Sequence, residues 1–63
     1  MTKTSEIKRN RDGSYTYKTR VFIVDQYSSV YEVKARQNEF MGKLNGRSSK
    51  KAIADMLDEE LFA

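Results

Sequence analysis

The sequence predicts a small α+β domain in which an N-terminal antiparallel sheet of two or three strands packs against a C-terminal α-helix. Three observations carry that expectation. Residues 14–24 alternate, with Tyr15, Tyr17, Thr19, Val21 and Ile23 at one parity and Thr16, Lys18, Arg20, Phe22 and Val24 at the other, which is the period of a strand. Arg11-Asp12-Gly13 just before it is a turn signal, because glycine takes positive φ freely and aspartate bonds its own backbone nearby. Near the C-terminus, Ala52, Ile53, Met56, Leu57 and Leu61 recur at helical spacing and form one apolar stripe.

In chain order, residues 1–5 read as a disordered terminus and the whole 63-residue chain as a single domain. A strand around Ile7 closes onto the alternating segment through a three-residue loop. The hydrophobic pattern then pairs Asn10 with Ser14, Lys8 with Thr16 and Ile7 with Tyr17, which keeps Ile7 on the tyrosine face and Lys8 on the opposite one. Residues 25–29 are polar apart from Tyr27 and read as a connection.

Residues 30–36 admit two readings. As a strand closed by a five-residue loop, they pair Ile23 with Tyr31, Val21 with Val33 and Thr19 with Ala35. The core face then collects Ile7, Tyr15, Tyr17, Val21, Ile23, Tyr31 and Val33. As a helix, Ser29-Val30-Tyr31-Glu32 matches a capping box, and Val30, Val33, Phe40, Met41 and Leu44 lie on one stripe. The clean alternation around Tyr31-Glu32-Val33 favours the strand. Residues 38–44 read as a short helix stopped by Asn45-Gly46. Ser48 and Ser49 are then available to cap the last helix, over residues 50–61. Two polarities in that helix oppose its macrodipole: Lys50 and Lys51 stand at the positive end, and Asp58, Glu59 and Glu60 at the negative end.

Composition narrows the chemistry. The chain has no cysteine and no histidine, which removes disulfides, thiolate nucleophiles, the commonest general base and the commonest metal ligands. Neither a Gly-rich phosphate loop nor a calcium-type loop is present, so no enzyme, cofactor or metal is expected. The longest apolar run, Val21-Phe22-Ile23-Val24, falls far short of the roughly 20 residues of a spanning helix, so a cytoplasmic protein without membrane contact is expected. With so thin a core, association as a homodimer is a natural source of stability.

Charge supplies the functional expectation. Residues 1–20 carry six Lys/Arg against two acids, residues 21–51 six against three, and residues 52–63 four acids and no base. The three-stranded register gathers Lys8, Lys18, Arg20, Lys34 and Arg36 on one face, with Glu32 among them. Arg9, Asn10 and Arg11 sit at the hairpin tip, and Phe22 is exposed to meet a base. Such a face suits nucleic acid, with duplex DNA expected, in a regulatory or accessory role such as transcription regulation. Two other readings stand beside it. The cations simply solvate a half-exposed sheet, or the chain is an adaptor or inhibitor that engages a partner enzyme through its apolar hairpin surface or its acidic helix, with Asp55, Asp58, Glu59 and Glu60.

Asn45-Gly46-Arg47-Ser48 followed by an amphipathic helix resembles the turn and second helix of ribbon-helix-helix repressors. That resemblance implies a dimer in which Thr16, Lys18 and Arg20 face DNA from a strand and residues 29–44 form the first helix. In that family the strand leads almost directly into the first helix, whereas residues 25–28 intervene here. The meander-plus-helix outline is similar to the small sheet-reading DNA-binding domains attached to recombinases and to some plant regulators.

Overall fold

The computed structural model describes residues 2–62; Met1, part of the stretch expected to be disordered, and Ala63 lie outside the described residues. A 3-10 turn at Thr4–Glu6 leads into strands β1 (Lys8–Arg9), β2 (Tyr15–Tyr17), β3 (Arg20–Val24), β4 (Ser29–Glu32) and β5 (Glu39–Lys43), followed by helix α1 (Ser49–Phe62). The sheet is an antiparallel meander in the order β1-β2-β3-β4-β5. The α+β class holds, with five strands instead of two or three.

Several registers follow the sequence pattern. Lys8 pairs with Thr16, and the Asn10 N–H donates to Ser14 O at 2.8 Å. Ile23 pairs with Tyr31, and Val33 N–H donates to Val21 O at 2.8 Å. Residues 30–32 are therefore strand, and the helical reading of 29–44, with the ribbon-helix-helix architecture that needs it, is overturned by β4 and β5.

The segment 14–24 is not one strand. Tyr17 pairs with Arg20 across the two-residue turn Lys18-Thr19, and Lys18 takes a φ of 55° there, the sign a type II′ turn requires at its first position. A two-residue turn reverses parity, so Tyr15 faces the same side as Phe22, and Tyr17 the same side as Arg20. The continuous-strand register put Val21 and Ile23 in the core and Phe22 on the surface. The turn exchanges them: Phe22 is 1% exposed and central to the core, while Val21 and Ile23 lie on the open face. Tyr31 and Val33, opposite them, go with them.

Within residues 38–44, Glu39–Lys43 form β5, not a helix, because pairing with β4 satisfies their backbone. A bulge opposite Val30/Tyr31 adds one residue to this strand. Phe40 pairs with Tyr31 on the open face, Gly42 pairs with Val30 on the helix side, and Met41 returns to the core. Gly42 has a φ of 155°, and a Cβ there would meet Met56 Cε at 3.0 Å. Gly42→Ala therefore combines backbone strain with a methyl that Met56 must move to accommodate. The expected cost is about 1–2 kcal/mol, read as a lower midpoint in urea unfolding.

Helix α1 lies across the sheet. Ser48 caps it, its Oγ accepting the Lys51 N–H at 3.2 Å. Ala52, Ile53, Met56 and Leu57 face the sheet as the spacing predicts, joined by Ala54, whereas Leu61 is exposed. The core consists of this helix face with Ile7, Phe22 and Val30, flanked by Tyr15, Tyr17, Val24, Met41 and Leu44. No described helix is long and apolar enough to cross a membrane.

Two of the three acids at the end of α1 have structural partners. Glu60 accepts from Arg20, and Asp58 Oδ1 accepts the Thr2 N–H at 2.7 Å. Contacts to the sheet and the N-terminal segment offset their unfavourable placement on the macrodipole. At the other end, Lys51 and Arg47 both bond Asp55. Arg47 also donates from Nε to Leu44 O and from Nη2 to Lys43 O, both at 2.8 Å, which clamps the turn between β5 and α1. Asn45-Gly46 thus forms a strand-to-helix turn, with φ of 52° and 81°, where the sequence suggested a helix stop.

Candidate nucleic-acid interface

The nine residues singled out by the sequence do not share a face. Lys8 is exposed on β1 and points to the open side of the sheet, with Thr16 as its neighbour. Asn10 joins them, its Nδ2 donating to Thr16 Oγ1 at 2.7 Å and to Ser14 Oγ at 3.0 Å. Arg9 pairs with Tyr15 and so has the helix-side parity, though it is exposed at the sheet edge. Arg11 projects from the β1–β2 turn, where Asp12 Oδ1 accepts from the Ser14 N–H and hydroxyl. Lys18 occupies the β2–β3 turn with Nζ 5.3 Å from the Tyr17 ring centroid. Arg36 is exposed in the β4–β5 connection.

Three of the nine are engaged internally. Arg20 faces the helix side and binds Glu32 in a two-pronged pair at 3.0 and 2.7 Å, while also reaching Glu60 at 2.7 and 3.1 Å. These bonds hold the Glu32 and Glu60 carboxyls below their ordinary range and raise Arg20 further above its own. Lys34 pairs with Glu39 at the surface, which raises its ammonium pKa. Phe22 is buried beneath Arg20, whose Cζ stands 5.3 Å from its ring centroid. The basic sheet face drawn from the alternating segment therefore does not form, because the Lys18-Thr19 turn sends Arg20 to the helix side.

The open face carries something else. Val21, Ile23, Tyr31, Val33 and Phe40 make an apolar patch over β3, β4 and β5, with Val33 43% and Phe40 55% exposed. Tyr31 and Phe40 meet edge to face, with ring centroids 5.6 Å apart. On the β1–β2 half the same face turns polar, through Lys8, Asn10 and Thr16. Lys43, paired with Ser29, is exposed at the far strand. Asp25, at the margin of this face, directs its carboxylate into the β3–β4 turn, Oδ1 accepting the N–H groups of Tyr27 and Ser29 at 2.9 Å each. Tyr31, Phe40 and Lys43 carry no motif in the sequence; only the bulge and the tight turn bring them to one surface.

No protein-family model matches this chain, and neither a curated protein nor a solved structure shows significant similarity to it.

Proposed function

We propose that this chain is a non-catalytic nucleic-acid-binding module, acting in a regulatory or accessory role through the cations of its open face and turns. The observation that carries the reading is the sorting of charge by side. Arg20, Lys34, Arg47 and Lys51 are the bases engaged in ion pairs, and their acids are Glu32 and Glu39 on the helix side of the sheet and Asp55 and Glu60 on α1. Among the described residues, Lys3, Lys8, Arg9, Arg11, Lys18, Arg36, Lys43 and Lys50 enter no salt bridge, and of these Lys8 and Lys43 stand on the open face and Arg11, Lys18 and Arg36 in the turns and connection around it. These five are exposed and available to phosphates, while the two turn carboxylates beside them, Asp12 and Asp25, accept backbone N–H groups. A polyanion docking here displaces no internal pair and releases its own counterions.

The same sorting weakens a docking role for the acidic helix, since Asp55, Asp58 and Glu60 already have partners. Fluorescence anisotropy with labelled oligonucleotides is expected to show binding that weakens steeply between about 50 and 200 mM salt. Lys8→Ala and Lys43→Ala should each weaken binding several-fold and flatten the salt slope by roughly one. Lys51→Ala, which removes the same charge from the helix side, should have little effect. Absence of binding at low salt, or equal losses in all three variants, would refute the reading.

A further inference from the structure

The open sheet face combines two chemistries that a duplex does not use together. Duplex recognition needs cations that reach the phosphates and side chains that reach base edges in a groove. Here the centre of the face is apolar and aromatic, and the cations stand at its sides. Phe40 is 55% exposed and leans on Tyr31, so the pair offers ring surface within a flat patch completed by Ile23, Val21 and Val33. Lys8 with Asn10 and Thr16 bound the patch on the β1 side; Lys43 stands on β5 and Arg36 in the β4–β5 connection.

We propose that this face binds an unpaired, single-stranded stretch of nucleic acid, with bases stacked on Phe40 and Tyr31 and the phosphates running between Lys8 and the cations Lys43 and Arg36. The inference rests on the nucleic-acid reading above and narrows it to one kind of strand. An unpaired strand presents both base faces, which need an apolar or aromatic support out of water, and phosphates, which need cations at one strand's spacing. A paired strand hides its base faces in the stack and leaves this patch uncovered. A second copy of the chain is a poorer occupant. Two such faces opposed would bring together Lys8, Lys43 and Arg36 of both copies, three cations a side against the single marginal carboxylate of Asp25, which is held in its own turn.

Three labelled probes of equal length separate the possibilities: oligo-dT, oligo-U and a duplex. Both single strands are expected to bind about tenfold or more tightly than the duplex at the same salt, and alike if the 2′-hydroxyl is not read. Phe40→Leu keeps the apolar area and removes the ring; it should lose about tenfold on the single strands and nothing on the duplex, and Phe40→Tyr should retain binding. Should Phe40→Leu fail to fold, the ring proton shifts of Tyr31 and Phe40 in the unchanged protein decide the matter, moving on addition of oligo-dT. Duplex binding as tight as single-strand binding, with no effect of Phe40→Leu, overturns this inference and leaves the broader reading standing. Failure to bind any probe at low salt overturns both. Self-association abolished by Phe40→Leu, with oligonucleotide binding unchanged, assigns the face to a second copy and overturns the proposal.

Discussion

Phe22→Ala is expected to abolish cooperative unfolding at 25 °C. The Phe22 side chain is 1% exposed and fills the centre of a core whose other fully buried large residues are Ile7, Ile53 and Val30. Truncating a buried phenylalanine costs about 3–5 kcal/mol, from lost transfer energy and the cavity left behind. A domain of this length has only about 3–9 kcal/mol to lose. Urea titration followed by far-ultraviolet circular dichroism should therefore show a midpoint near zero denaturant or no sigmoidal transition. Ile23→Thr, one residue along on the open face, should shift stability by no more than about 1 kcal/mol. Had the strand run unbroken through Thr19, these two outcomes would exchange. A protein that tolerates Phe22→Ala and unfolds with Ile23→Thr would refute the turn at Lys18-Thr19.

That turn is also the point at which the sequence stops being legible. The loop Arg11-Asp12-Gly13, the pairing of Ile23 with Tyr31 and the buried stripe of the last helix all follow from local chemistry that can be read along the chain. Lys18-Thr19 carries no glycine, asparagine or aspartate to mark the reversal, and lysine at positive φ is unusual enough that alternation through it reads as one strand. The bulge in β5 has the same effect, since Phe40, Met41 and Leu44 match a helical stripe until tertiary pairing extends them. Each device changes parity by one residue, and parity alone decides which side chains meet water. A basic face built on unbroken alternation through Lys18-Thr19 is therefore out of phase with the sheet. The one cue to the true phase was the apolar run Val21-Phe22-Ile23-Val24, which lacks a polar side and so fits a strand whose open face is itself apolar.

The paired cations hold the acids near the C-terminus in structural roles. Glu32 and Glu60 hold Arg20 between sheet and helix, and Asp55 holds Arg47 at the turn that launches α1. In a small domain with few buried side chains, these pairs fix the helix on the sheet. These paired acids lie away from the opposite face, where Asp25 stands only at the margin.

Arg20→Ala should destabilise the fold on the order of 2 kcal/mol at neutral pH, lowering the thermal midpoint by roughly 8–16 °C. The reason lies in what is left behind. Glu32 is 8% exposed, and without the guanidinium its carboxylate stays buried and unpaired. Arg20 itself keeps a side-chain exposure of 30%, which holds the cost below that of a fully buried pair. The sign of the pH dependence separates charge from packing. In the unchanged protein Arg20 holds Glu32 and Glu60 below their ordinary 4.5, so their contribution is complete above that value and lost as pH falls through the lowered pKa values. In the variant, burial, aided by the nearby Glu60 and opposed only by the weaker pull of Lys34, raises the Glu32 pKa, so protonation relieves the strain and acid is stabilising for that group. The stability gap between the two proteins should therefore narrow from pH 7 to about pH 3.5 in parallel thermal melts. The double change Arg20→Ala with Glu32→Leu should recover much of the loss at neutral pH, because it removes the orphaned charge. A gap that persists unchanged in acid would assign the loss instead to the guanidinium's packing over the Phe22 ring.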